Sequence, residues 1–244
     1  IAARAAFGRA AARVRAMEEL RRGARSAIVR LLQHLLNKGL RTERLSAAPL
    51  ELDGRFGRLT EEAVRAFQTR HSMTPTGVAD TRLWRAIGLS VDVWHQRVPL
   101  IGQPTDSSCW AAAAAMILGN MSPNLASSHI GEDGGLQGSI EHHQAFAQSL
   151  GWEMPMRTPG VNELIALISR GPLWIRGSGE DWAHAVVLSG VFGDGTADGT
   201  MVRIHDPWPP RHGRVYGAFL DDLYVISEGG GTATMNLDYV LIPR

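Results

Sequence analysis

Cysteine is almost absent from this chain. Its 244 residues carry one thiol, Cys109, which excludes an intrachain disulfide framework and a cysteine-rich zinc site. Long apolar runs are missing too. The most apolar stretch, Ala111 to Leu118, falls far short of the roughly 20 residues a membrane-spanning helix needs, so no membrane span is expected. Charge of one sign is also lacking. A net charge of +1 creates no global field to attract nucleic acid or a membrane surface. The chain opens on Ile1 instead of methionine, which predicts a processed form or a piece of a longer parent.

What is present reads as ordinary globular protein, with 44% hydrophobic and 20% charged residues arguing against disorder. The length allows two domains, each with its own core. Residues 1–25 form a basic arm of helical composition, with seven arginines against Glu18 and Glu19. It is read as a solvated helix or linker. Ile28, Leu31, Leu32, Leu35 and Leu36 recur at helical spacing, and Lys38-Gly39 predicts the helix end. The Asp53-Gly54-Arg55-Phe56-Gly57 bend is followed by Thr60 as the expected cap of a second helix, with Leu59 and Val64 spaced as a hydrophobic staple. After Pro75-Thr76-Gly77 a shorter turn-then-helix unit follows, with Trp84 and Ile87 as core contacts. Gly54 and Gly77 thus open a weak internal repeat.

Leu50 to Leu89 resembles the small three-helix peptidoglycan-binding domain of bacterial wall hydrolases. The likeness rests on Asp53-Gly54-Arg55-Phe56-Gly57, Thr60, Ala63-Val64, Phe67-Gln68, Pro75-x-Gly77 and Trp84-x-x-Ile87. It implies an all-α domain over residues 26–89 with peptidoglycan as partner. Residues 90–98 read as a linker, and 99–244 as a second domain. There, helices are expected over 109–118, 139–150 and 161–169. Strands are expected over 173–176, 185–192, 201–205, 215–226 and 233–242, separated by turns such as Gly229-Gly230-Gly231. The fold class is α+β, with a cleft between the two halves.

Asp106, Ser107 and Ser108 are good N-cap residues ahead of an alanine-rich run, so Cys109 is expected at a helix N-terminus, where the dipole favours a thiolate. Among nine histidines, His184 opens a strand-like run and can present its ring at a sheet edge. His205 adjoins Asp206, and strand alternation lets only one of that pair face the site; the carboxylate is the more useful. His142 and His143 are read as solvated and at the wrong spacing for a metal. His34, His71, His95, His129 and His212 have no supporting context.

This second domain resembles papain-like cysteine peptidases, especially their bacterial effector-type branch. The matching residues are Gln103 six positions before Cys109, Cys109-Trp110, Gly171-Pro172-Leu173-Trp174-Ile175, His184-Ala185-Val186 and Asp206-Pro207-Trp208. The resemblance implies Cys109 as nucleophile, His184 as its acid–base partner, Asp206 as the orienting carboxylate and Gln103 as an oxyanion donor. Trp110 packs beside the cleft or in the core, and Trp208 shields the His184–Asp206 hydrogen bond. Neither a cofactor nor a metal is implied. The expected protein is a secreted, periplasmic or contact-delivered bacterial effector or toxin cutting a protein, possessing an immunity protein as partner. A wall enzyme cutting peptidoglycan peptides and a non-catalytic wall-binding protein are the alternatives.

Overall fold

The Ser26 hydroxyl accepts the Val29 N–H and starts α1 (Ala27–Thr42), the helix on which the N-terminal half is built. A computed structural model of the chain describes residues 19–43, 48–95, 97–119, 134–136, 138–179, 182–223 and 236–244. Arg4, Arg9, Arg13 and Arg15 of the arm, His129, the Gly229-Gly230-Gly231 turn and residues 224–226 of the strand expected over 215–226 lie outside these residues, and that strand ends at Phe219, with Asp221–Leu223 forming a 3-10 turn instead. The helix end expected at Lys38-Gly39 is overrun. An interior glycine costs a helix only about 1 kcal/mol, and Asn37 offsets it by exchanging hydrogen bonds with the Leu50 backbone at 2.9 and 2.7 Å.

The second helix, α2 (Arg58–Arg70), begins at Gly57, so Thr60 is not its cap. Thr60 is buried in the first turn, where its hydroxyl accepts from Gln33 and donates to the Arg55 carbonyl. Leu59 is consequently 61% exposed and forms no staple. The organiser of the turn is Gln33, buried on α1. Its amide nitrogen donates to Asp53 Oδ1 and the Arg55 carbonyl, while its oxygen accepts the N–H of Gly54, whose φ is +67°. Gln68 on α2 repeats the device at the next turn, donating to Thr76 and Val78 and accepting from Gly77 N–H at 2.9 Å. The internal repeat is therefore two left-handed glycines, each held by a buried glutamine on the helix before it. Asp80 then caps α3 (Thr81–Ala86) through the Leu83 N–H. Leu20 and Arg25, at the end of the arm, bridge to Ala79 and Arg55 and so belong to this domain.

Six antiparallel strands form one sheet: β1 (Val91–Trp94), β2 (Leu173–Ser178), β3 (Ala183–Gly193), β4 (Thr200–Asp206), β5 (Arg214–Phe219) and β6 (Asn236–Leu241). The order is β5-β4-β3-β2-β6. β1 continues the line of β2 along β3, pairing Val91 with Gly193 and Trp94 with Gly190. Four of the nine residues read as a linker, Val91–Trp94, are thus a strand of the sheet. Its four residues are too few for a period-2 pattern to stand out. On one face α4 (Cys109–Leu118) sets Trp110, Ala113 and Ile117 against Trp174, Ala185 and Val187, with α5 (Ile140–Ser149) behind it through Phe146. On the other, α6 (Val161–Arg170) sets Leu164 and Ile168 against Ile175, Val186 and Ile204. Helices on both faces follow from the strand cores, in which neighbouring residues alternate between the two clusters. The α+β class stands.

The helical domain has no separate core. Leu31, Leu32, Leu35 and Trp84 share one apolar cluster with Phe192, Met201 and Phe219 of the sheet. Lys38 adds ion pairs to Asp194 at 2.8 Å and Asp198 at 3.0 Å. At the tightest point α1 lies on Gly217 of β5, where an added Cβ would come within 2.6 Å of the Ala27 Cβ. Gly217→Ala is expected to lower stability by about 1–3 kcal/mol by overpacking this contact, read as a lower midpoint in urea unfolding.

Candidate active site

Residues 103–108 form a loop that delivers the chain to α4. Gln103 is fully buried, and its amide nitrogen donates to the carbonyls of Thr105 at 2.7 Å and Asp106 at 2.9 Å. The Ser108 hydroxyl turns back on Thr105, accepting its N–H at 2.9 Å and donating to its carbonyl at 3.0 Å. Ser108 occupies the N-cap position but gives the helix no side-chain cap, contrary to the sequence expectation. The first N–H groups of α4 are left uncapped beside Cys109, the first helical residue. The positive end of the helix dipole therefore lies beside the sulfur.

His184 is the second residue of β3 and lies opposite Gly177 of β2, so no side chain crowds it from that neighbour. Its Nε2 is 2.6 Å from Asp206 Oδ1, and Cys109 lies close enough to act on the ring's charge, with Nδ1 the nitrogen left to face it. Burial alone would push its pKa down. The hydrogen bond to Asp206 and the nearby Cys109, with their negative charges, outweigh burial and raise it to about 9. The imidazole is thereby held as imidazolium at neutral pH.

Asp206 closes β4 and is 2% exposed. Its Oδ1 also accepts the Trp208 N–H at 2.9 Å, and its Oδ2 accepts both Nε and Nη2 of Arg214 at 3.0 Å. Burial works against the carboxylate, but these donors and the His184 charge hold its pKa below the usual value. Arg214 is the residue that sequence reasoning missed. It faces Asp206 in the β4–β5 register, a pairing that the nine-residue Asp206 to Arg214 hairpin, rich in proline and glycine, could have suggested.

The loop before Cys109 and the turn after Asp206 are fastened together. Gln103 N–H donates to the Pro207 carbonyl at 3.0 Å and the Gln103 carbonyl accepts from Arg211 at 2.8 Å. A Cβ on Gly102 would lie 2.4 Å from the Arg211 backbone. The structure therefore brings Gln103, Cys109, His184 and Asp206 into one connected unit. Gln103 stands in it differently from expectation, because both its amide hydrogens go to loop carbonyls and its Oε1 is buried without a partner. Trp110 is 4% exposed and packs edge-on to Phe146 at 5.2 Å, a core position. Trp208, 43% exposed, touches the His184–Asp206 pair through its backbone.

The remaining described histidines have structural places. His205 is buried with its ring turned away from Asp206's partners, and burial pushes its pKa down to about 4. His143 is not solvated: it is 5% exposed and hydrogen-bonded to the Tyr239 hydroxyl, because it lies on the inner face of α5. His142 is exposed and binds the Ser139 hydroxyl at 2.8 Å. His95 contacts the Ile168 carbonyl at 2.5 Å. His34 packs on Phe219 and His71 on Phe67, while His212 is 3.0 Å from the Pro210 carbonyl.

Comparison with protein families finds two matches in series. Residues 25–87 match the putative peptidoglycan binding domain, and residues 92–219, more than half of the chain, match the papain-like cysteine protease AvrRpt2. The comparison with curated proteins returned no match.

Proposed function

Since the chain belongs to the papain-like cysteine protease AvrRpt2 family, we propose that it hydrolyses amide bonds through Cys109, His184 and Asp206. The observation that carries this reading is the single connected path from the uncapped start of α4 through His184 to buried Asp206. Cys109 attacks the carbonyl as thiolate, and the imidazolium of His184 protonates the departing amine. A water activated by the now neutral His184 then hydrolyses the thioester and restores the thiolate–imidazolium pair. Asp206 keeps Nε2 protonated and the ring aimed at sulfur. The oxyanion is met by the Cys109 backbone N–H. Gln103 becomes the second donor when the substrate oxygen replaces one of the loop carbonyls it now holds, each donor contributing about 3 kcal/mol to the transition state. Trp208 screens the His184–Asp206 hydrogen bond.

In this proposal the substrate is a protein and the enzyme a secreted or contact-delivered bacterial effector, acting outside its own cytoplasm and countered by an immunity protein. A second reading, a peptidoglycan peptidase of the periplasm or envelope, draws on the family match over residues 25–87 and on the shared core that fixes that domain to the sheet. Incubating the wild type and Cys109→Ala with purified sacculi and, separately, with a protein mixture distinguishes the readings. Selective protein fragments made only by the wild type are expected. Soluble muropeptides support the second reading, and no cleavage of either overturns both.

A further inference from the structure

Between the helical domain and the sheet runs an open groove of about 680 Å³. Four guanidinium groups line it: Arg25 and Arg55, whose backbones bridge each other, Arg30 on α1, and Arg203 on β4. Its apolar walls are Trp94, over which Arg203 lies at 5.4 Å, and Tyr216. The one carboxylate in the lining, Asp53, is already held by the Gln33 amide and the Arg55 N–H, both at 2.8 Å. Among the described residues no carboxylate forms an ion pair with Arg25, Arg30 or Arg55, and the Arg30 Nε is buried without a partner. The N-terminus of α1 opens on the same space and adds to its positive potential.

One side of the groove is β5, the edge strand of the sheet. Val215 and Tyr216 are 40% and 37% exposed there, and an edge that no other strand pairs among the described residues accepts an extended chain as a further strand. Tyr216 of the groove is linked to the catalytic unit through Arg214. Arg214 stacks on the Tyr216 ring at 4.9 Å and grips Asp206, which grips His184.

We infer that this groove is a substrate exosite for an acidic, extended polypeptide segment, whose carboxylates pair with Arg25, Arg30 and Arg55 while its backbone lies along β5. The inference rests on the proposed peptidase activity and names the chemistry of its protein substrate: a run of Asp or Glu outside the cleaved bond. Guanidinium groups bind carboxylates through paired N–H donors, and arginines of the helical domain facing a strand edge of the sheet define the segment's place in a way that neither domain alone can.

The test uses the inactive Cys109→Ala chain, so binding is read without turnover. A fluorescently labelled peptide alternating glutamate and valine is titrated by anisotropy, beside the same peptide with lysine for glutamate and a disaccharide-peptide muropeptide. The glutamate peptide is expected to bind, the lysine peptide not. Adding Arg25→Glu and Arg55→Glu, both at exposed positions, is expected to weaken binding at least about tenfold, while the lysine pair Arg25→Lys and Arg55→Lys retains it. An unchanged thermal transition separates this effect from misfolding. Equal binding of both peptides, full binding by the glutamate variants, or preference for the muropeptide overturns the exosite. Wild-type hydrolysis of the protein mixture is scored separately, so the activity can stand when the exosite falls.

Discussion

Replacing Cys109 with alanine is expected to lower kcat/KM by about four orders of magnitude or more while leaving the fold intact. The effect is large because no other group can take the role: Cys109 is the chain's only thiol, and without a nucleophile the acyl-enzyme route is closed. Folding survives because Cys109 is only partly buried at a helix end, beside an uncapped first turn. Retained hydrolysis in Cys109→Ala, measured on the fragments that the wild type makes, sinks the thiol mechanism. A thiol-directed alkylating agent is expected to label the wild type once and to inactivate it at the rate of labelling.

Removing the acid–base partner is the next largest change. His184→Ala is expected to cost about a thousandfold at neutral pH, within the range for a positioned proton-transfer group. The wild-type pH profile carries a sharper signature. With its pKa raised to about 9, His184 stays protonated well above neutrality, so the basic limb of kcat/KM is expected near pH 9. Asp206→Asn keeps a hydrogen-bond acceptor but removes the charge, and the limb is expected to move down towards the ordinary histidine value of about 6.5. A limb that stays in place shows that Asp206 is not setting the His184 charge. Stability follows the same sign. A folded pKa above the unfolded one stabilises fully below about pH 6.5, and that contribution is lost as pH rises through about 9. The urea midpoint of the wild type should therefore fall between pH 7 and pH 9 by more than that of His184→Ala. The lowered pKa of Asp206 acts at the other end, its contribution being lost only as pH falls below the normal carboxylate range.

Much of this was legible in the chain. The alanine-rich run after Cys109 gives α4 over Cys109–Leu118, as local propensity predicts, and strand alternation correctly separates His205 from Asp206. Helix starts were read less well. Thr60 and Ser108 look like caps, but each hydroxyl is taken by a tertiary or loop partner, Gln33 and Thr105. A hydroxyl's partner is chosen by what folding brings near it, which residue type does not encode. His143 turned inward for the same reason, finding Tyr239 of a distant strand.

The sequence by itself determined the periodic helices, the two-part order of the chain, and the residue types Gln103, Cys109, His184 and Asp206 in their succession. Those properties are local, or are read from spacing along the chain. Only the tertiary structure decided that Arg214 locks Asp206, that β1 joins the sheet, that the helical domain shares its core with the sheet and that four arginines line the groove between them. Each of these depends on contacts between distant segments. Their energies come from burial and charge pairing that exist only after the chain has closed on itself.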